Sequence, residues 1–269
     1  MLYEKVKLEG EGDEVSLACY VADKIGDFKR SAILVLPGGA YRGLSTDREG
    51  DAIATSFMAH GYNAFVLSYS VTSTSDKPYP AQLIQASKAI KHIKDNAEKY
   101  GIDPENVFAV GFSAGGHLCG SLGTMWNREE VYKAIDMPYG YNKPKGVMLI
   151  YPVISMKYYN SGTFENLLKK TDMTEDDRLS FSIEENVTEE SSPMFIMHTS
   201  NDQAVDVRHS IALASALAEK RLKFELHIYP DSPHGVALGN EITACGNGKW
   251  NNPQIAKWVE NAVQWAKSL

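Results

Sequence analysis

One serine, one histidine and one aspartate in this chain have the types and spacing of an activated nucleophile. Gly111-Phe112-Ser113-Ala114-Gly115 is a G-x-S-x-G element. It lies between an apolar, β-branched run, Asn106 to Val110, and a stretch rich in Ala, Leu and Gly, Ala114 to Met125. A strand that turns directly into a helix leaves the apical serine in a strained backbone conformation, so the residues two positions either side must lack a Cβ. The same turn pushes Oγ outward and sets the Ala114 N–H at a helix start, where backbone donors and the dipole favour an anion. A serine hydroxyl also needs a base within hydrogen-bond reach and a group that orients the base.

The base must come from seven histidines. His60 precedes a helix-ending glycine, and His92 and His209 fall within helical stretches. His117 sits one turn beyond Ser113 on the same helix, where packing against the sheet accounts for it. His227 lies inside a strand, and His198 ends one. His234, in the Pro- and Gly-bounded loop Pro230 to Gly235, is the candidate base. Asp202, after the preceding strand, is the candidate orienting acid and gives the chain order Ser, Asp, His. Its rival Asp206 stands at a helix entrance, where N-capping explains it. A second Gly-rich loop, Pro37-Gly38-Gly39-Ala40-Tyr41, leaves a buried strand and could turn its N–H groups toward a developing oxyanion, although an ordinary turn reads the same way.

The elements that must position these residues follow from periodicity. Tyr3 to Glu9 and Val15 to Val21 alternate as an antiparallel hairpin around Gly10 to Asp13. Buried strands are expected at Ser31 to Leu36, Asn63 to Tyr69, Asn106 to Val110, Lys145 to Tyr151, Pro193 to Thr199 and Lys223 to Tyr229. Between them, helices are expected over Ser45 to His60, with Ser45 as N-cap and Asp47 and Glu49 in its first turn, over Leu83 to Tyr100 ending at Gly101, and over Val207 to Lys220. A last helix spans Pro253 to Lys267. Strands alternating with amphipathic helices predict an α/β fold with a mostly parallel central sheet covered on both faces. Residues 153–192 break the rhythm: the stretch is polar and acidic, with Asp172, Asp176 and Asp177 read as solvated. It is expected to form a small cap inserted in a single domain spanning residues 1–269.

Composition limits the function classes. The 269 residues are 43% hydrophobic and 23% charged, as in a water-soluble globular chain. A formal net charge of −7 argues against a nucleic-acid or anionic-membrane partner. No run approaches the roughly 18 apolar residues of a membrane span, and the start lacks a signal-peptide pattern. Three cysteines without metal spacing suit reduced thiols and a cytoplasmic location.

Together these motifs resemble the α/β-hydrolase superfamily and, within it, the small bacterial acetylxylan esterase-like or carbohydrate acetyl esterases. The resemblance is carried by Leu36 to Tyr41, Ser45 to Gly50, Gly111 to His117, His198 to Asp202 and Pro233 to Gly235, in order from about residue 30 onward. It implies Ser113 as nucleophile, His234 as base, Asp202 as its orienter, and the N–H groups of Gly39, Ala40 and Ala114 as oxyanion donors. It implies a serine esterase without cofactor or metal, acting through an acyl-enzyme on a small ester such as an acetylated sugar, and leaves room for a homo-oligomer. Two positions depart from the pattern: Ala40 replaces a usual glycine, which matters if the site needs positive φ, and Asp206 replaces a common proline. A serine peptidase of the prolyl-oligopeptidase type shares the fold and triad order but normally carries a large extra domain. A non-catalytic binding module would normally have lost a triad member. Tyr41, Tyr158, Tyr159 and Trp250 are candidate sugar-stacking aromatics, each equally explained by packing.

Overall fold

The computed structural model describes residues 1–158 and 162–269. Eight strands form one sheet: β1 Leu2–Lys7, β2 Ser16–Val21, β3 Arg30–Leu36, β4 Asn63–Ser68, β5 Ile102–Phe112, β6 Val147–Ile150, β7 Met194–Thr199 and β8 Phe224–Tyr229. Their spatial order is β1-β2-β4-β3-β5-β6-β7-β8. The opening hairpin joins by antiparallel pairing of β1 with β2 and β2 with β4, and the other pairs are parallel. The helices are α1 Thr46–Glu49, α2 Asp51–Ala59, α3 Ala81–Asp95, α4 Ala97–Tyr100, α5 Ala114–Thr124, α6 Glu129–Ala134, α7 Thr163–Leu168, α8 Glu175–Phe181, α9 Arg208–Glu219, α10 Glu241–Ala244 and α11 Trp258–Lys267.

Strand residues alternate between two apolar cores, as period-two geometry requires when both faces are covered. Leu34, Leu36, Ala109, Leu149 and Ile196 face the core with α3, α5 and α9. Ile33, Val35, Val110, Met148 and Phe195 face the other, against Ile53 and Phe57 of α2 and Trp258 of α11. Small residues let α5 lie very close to the sheet. A Cβ on Gly115 would stand 2.1 Å from the Leu36 carbonyl oxygen, and one on Gly111 would stand 2.1 Å from that of Gly115.

Four sequence expectations change. The helix expected over Ser45 to His60 divides at Gly50 into α1 and α2, and Ser45 makes no side-chain cap bond. The break turns Glu49 into the interior, where it is only 5% exposed. Residues 153–192 are less a polar surface excursion than the composition suggests. Ile154, Phe164, Leu167 and Ile183 are fully or almost fully buried in the α3–α5 core. Asp177 is not free in solvent: it closes a capping box with Thr174 at the start of α8 and accepts from Lys170 Nζ at 2.6 Å. Short helices α6 and α10 were not expected, because pieces of six and four residues carry too few turns to show a period.

Candidate active site

Ser113 sits at the sharp turn from β5 into α5 with φ 53° and ψ −117°, outside the favoured regions for a residue with a Cβ. Such strain costs on the order of 1–3 kcal/mol and persists only where the surroundings hold it. Here the Ser113 N–H donates to the Ile150 carbonyl at 3.0 Å, and its carbonyl accepts from His117 N–H and Val153 N–H at 3.1 and 3.0 Å. The result is a half-buried hydroxyl at the C-terminal edge of the sheet.

The loops after β7 and β8 end beside it. His234 Nε2 lies 2.9 Å from Ser113 Oγ, and His234 Nδ1 lies 2.7 Å from Asp202 Oδ2. Because an ionised carboxylate only accepts, Nδ1 carries the proton and leaves Nε2 free to accept from the serine. Asp202 Oδ1 accepts from the N–H groups of Ala204 and Val205, both at 2.9 Å. Burial works to raise the Asp202 carboxyl, but hydrogen bonds from His198, His234 and the Val205 N–H outweigh it and hold it well below the usual range. Of these, His198 contributes the weaker contact: its Nε2 is 2.9 Å from the Val205 carbonyl and 3.5 Å from Asp202 Oδ2. Asp206 is turned away from this centre. Its carboxylate accepts from the Arg208 N–H and pairs with the Arg208 guanidinium at 2.7 Å, a helix-entrance role.

The Gly-rich loop supplies donors opposite. Among the described residues, no hydrogen bond is donated by the backbone N–H of Gly39, Ala40 or Ala114. Gly39 and Ala40 line, with Ser113 and His234, a cavity of about 330 Å³. Ala40 has φ 55°, so this position does need the left-handed region, and a Cβ there costs about 1–2 kcal/mol. Several bonds hold the conformation. Asn166 Nδ2 of α7 donates to the Ala40 carbonyl at 2.9 Å, Thr72 N–H donates to the Tyr41 carbonyl at 2.9 Å, and Arg42 and Gly43 N–H donate to the Gly39 carbonyl.

Sequence reasoning missed what lies behind these groups. Glu49 Oε2 accepts from Gly38 N–H, and Oε1 accepts from Tyr151 O–H, both at 2.7 Å. Burial raises the Glu49 carboxyl, against the lowering bonds from Tyr151 and Gly38. The Tyr151 ring meets the His234 ring edge-on at 5.0 Å. Arg48 donates to the Gly235 carbonyl and to the Thr243 carbonyl, and its guanidinium stacks 3.7 Å above the Trp250 ring. Trp250 Nε1 in turn donates to the His234 carbonyl at 3.2 Å. The signals available in sequence were the charged run Asp47-Arg48-Glu49 after a Gly-rich loop and its place within the Ser45 to Gly50 motif, neither of which assigns a role.

His117 does more than pack against the sheet. It is buried and joins Tyr41 O–H at 2.9 Å to the Phe181 carbonyl at 2.8 Å. Tyr41 is thereby removed as a stacking surface, being 1% exposed. Tyr158 packs against Arg208 and His209, Tyr159 lies outside the described residues, and Trp250 lines a second cavity beside His234. Among the described residues, no group of three or more His, Cys, Asp or Glu is arranged to hold a metal ion, and no helix is long and apolar enough to cross a membrane.

A family model described as BD-FAE matches residues 19–217, well over half of the chain. The chain belongs to the BD-FAE family. The matched range contains Gly39, Ala40, Ser113 and Asp202 and stops short of His234. Among curated proteins, the BD-FAE chain is 35% identical over 218 residues to endo-1,4-beta-xylanase B of Butyrivibrio fibrisolvens, covering 80% of this chain and 34% of that one. It is 29% identical over 213 residues to an acetylxylan esterase of Xylanibacter ruminicola, covering 77% and 41%. The chain thus spans about a third to two fifths of the length of these relatives. Among solved structures, carboxylesterase Cest-2923 from Lactobacillus plantarum superposes with a TM-score of 0.87 at 26% identity, covering 100% of this chain and 98% of that one. MGS-M1, an alpha/beta hydrolase enzyme from a deep-sea metagenome library, superposes with a TM-score of 0.79 at 31% identity, covering 100% of this chain and 97% of that one, and the eight-stranded, mostly parallel sheet is that of the α/β hydrolases.

Proposed function

We propose that this BD-FAE chain is a serine carboxylester hydrolase that works through an acyl-enzyme and removes short acyl groups, acetyl first, from sugars or other small alcohols. The observation that carries the reading is the unbroken chain Asp202 Oδ2, His234, Ser113 Oγ, at 2.7 and 2.9 Å, ending in a cavity faced by unbonded backbone N–H groups. Ser113 Oγ attacks the ester carbonyl carbon while its proton passes to His234 Nε2. The carbonyl oxygen takes the negative charge and is met by the N–H groups of Gly39, Ala40 and Ala114. As the C–O bond to the alcohol breaks, the imidazolium returns the proton to the leaving oxygen, and water attacking by the same route frees the acid. Neither metal nor cofactor is needed for any of these steps.

The two cavities at His234 support the substrate class. The inner one, about 330 Å³, is bounded by Ala40, Thr163 and Val205 and suits a short acyl group. We read residues 153–192, which supply Thr163 and Asn166, as a cap over this side. The outer one, about 360 Å³, has a mainly apolar wall that includes Ala204, Pro233 and the Trp250 ring, with Gln203, Asn247 and Lys249 as polar groups; a flat aromatic face with a few donors suits a sugar-like leaving group. The relative named acetylxylan esterase points the same way. Three unpaired cysteines, two of them buried, suit a reducing cytoplasm.

The test is labelling with a fluorophosphonate followed by turnover of p-nitrophenyl esters. Wild type should label once, at Ser113. Ser113→Ala should not label and should lose about 10⁴-fold or more in kcat while staying folded. A folded variant keeping more than a tenth of the wild-type kcat would sink the assignment. The kcat/KM should peak at acetyl or propionyl and fall by about C6 to C8, because each further CH₂ gains its ~0.8 kcal/mol only against apolar surface. A rise through C8 would show the inner cavity to be misread.

A further inference from the structure

Behind the reacting groups lies a buried carboxylate that the hydrolysis as written does not use. Glu49, at the end of the four-residue α1, is 5% exposed. Among the described residues, no lysine or arginine forms an ion pair with it. Its neighbour Arg48 spends its guanidinium on the carbonyls of Gly235 and Thr243 instead. Removing a carboxylate from water without a counter-ion costs several kcal/mol, so a fold that keeps one inside needs a reason to do so.

The reason lies in what Glu49 touches. Both of its oxygens accept hydrogen bonds. Gly38 N–H donates to Oε2, and Tyr151 O–H, itself accepting from Ala237 N–H at 3.1 Å, donates to Oε1. A protonated carboxyl would set a third donor among these, so the ionised form fits the site. Gly38 is the residue before the Gly39 and Ala40 donors, and it is wedged between Glu49 and the nucleophile. A Cβ on it would stand 2.8 Å from Glu49 Oε2 and 3.0 Å from Ser113 Cβ. Tyr151, itself at φ 39°, carries its ring against His234. One carboxylate therefore ties the loop that faces the oxyanion to the wall that faces the imidazole. Besides the Arg48 guanidinium, whose charge acts on Glu49 throughout, the site gains a further positive charge near Glu49 when His234 becomes an imidazolium, which happens as Ser113 attacks. The carboxylate is then better compensated in the transition state than before it, which is the condition for lowering a barrier.

We propose that Glu49 is a positioning residue for ester hydrolysis: it fixes the oxyanion loop through Gly38 and His234 through Tyr151, and its charge favours the imidazolium. The inference rests on the serine-hydrolase reading above. The ionisable groups around His234 are Asp202 and Ser113 at its two nitrogens, Tyr151 and Glu49 behind the ring, Arg48 on the carbonyl of the next residue, and Lys249 across the outer cavity. Glu49→Gln keeps the size and an acceptor for Tyr151 but removes the charge and turns an amide against Gly38 N–H. Tyr151→Phe keeps the carboxylate and removes only the hydroxyl bridge.

With active sites counted by fluorophosphonate, Glu49→Gln should lower kcat for p-nitrophenyl acetate about 10- to 100-fold, with KM within about threefold; losing an oxyanion donor outright costs 10²–10³. The acidic limb of its kcat/KM profile should move to lower pH, since a negative charge beside the imidazole has gone. Tyr151→Phe should lower kcat by about tenfold with KM nearly unchanged. A Glu49→Gln protein that melts lower but keeps the wild-type kcat per titrated site and the wild-type profile overturns the inference. If that variant does not fold, Tyr151→Phe decides: wild-type kcat there overturns it equally. A wild-type protein that neither labels nor turns over overturns the hydrolase reading and this inference with it, so the two failures are distinguishable.

Discussion

At the scale of single residues, the two aspartates after β7 show why geometry is needed to choose between like groups. Asp202 is fully enclosed and spends one oxygen on two backbone N–H groups and the other on His234, so it cannot turn away. Asp206 is partly exposed and held by Arg208. Asp202→Asn should therefore cost about 10³- to 10⁴-fold in kcat, because an amide can present N–H to Nδ1 and force the wrong tautomer. Asp206→Asn should leave kcat within about twofold and cost at most about 1 kcal/mol of stability through its exposed pair with Arg208, because the N-cap of α9 is Val207 and not Asp206. Chemical denaturation beside steady-state kinetics separates the two, and an inactive Asp206→Asn with a normal Asp202→Asn would move the acid to residue 206. That Ser113, Asp202 and His234 come together was anticipated from sequence, because each sits in a short punctuated loop at a strand end, where few structural roles compete; their proposed roles await the tests above. Glu49 was not anticipated. Its type suits the first turn of the helix expected from Ser45, and only the break at Gly50 sends it inward. Tyr151 was hidden in the same way, as the apparent last residue of an apolar strand.

At the scale of elements, the strand order came only with the structure, but all eight strands were foreseen to within a few residues, six from apolar runs and the first two from alternation around a turn. Boundaries set by tertiary contact were not: the division of α1 from α2, and the burial of 154, 164, 167 and 183 in a segment whose composition is polar. Sequence windows average over residues that the fold sends in different directions. The contact between α5 and the end of β3 is a demanding piece. A methyl group on Gly115 would meet the carbonyl oxygens of Leu36 and Pro37 at 2.1 and 2.4 Å, both backbone atoms of the strand and loop that lead to the proposed oxyanion donors. Gly115→Ala must push α5 away from that loop, so it should destabilise by about 3 kcal/mol, at the upper end of overpacking costs, and lower kcat together with stability. A urea midpoint and kcat both close to wild type would mean that helix and loop are less tightly opposed than these distances state.

At the scale of the whole molecule, two buried histidines fasten the segment 153–192 to the sheet domain, and they make its attachment sensitive to acid. His209 Nδ1 on α9 accepts from the N–H groups of Ile154 and Ser155 at 3.1 and 2.9 Å. His117 on α5 reaches the Phe181 carbonyl, so its other nitrogen accepts from Tyr41 O–H. Protonation of His209 sets a donor against two backbone N–H groups, and protonation of His117 forces the Tyr41 hydroxyl to turn and accept, while either charge is buried. Burial is the main cause holding both far below an ordinary histidine, at about 4 for His117 and about 4 for His209. The sign follows from linkage. Between about pH 6.5, where an unfolded histidine takes up its proton, and pH 4, where these two do so when folded, the unfolded chain binds more protons. Their stabilisation is therefore complete above pH 6.5 and is lost as the pH falls toward 4, at up to about 1.4 kcal/mol per pH unit for each fully buried ring. Asp202 and Asp177, both depressed, lose their contribution only below about pH 3.8, outside this window. Glu49 and Glu184, raised by burial, act with the opposite sign, since acid neutralises a charge the folded state holds at a cost. His92, also lowered by burial, acts in the same direction as His117 and His209, so three histidines against two carboxyls should leave a net loss. Urea midpoints measured from pH 8 to pH 4 should stay level to about 6.5 and then decline. In His209→Gln, whose amide oxygen can still accept one of the two N–H bonds but cannot titrate, the midpoint should start lower and decline less. A wild-type midpoint that holds level down to pH 4.5 would mean that the rings take up protons without releasing the segment.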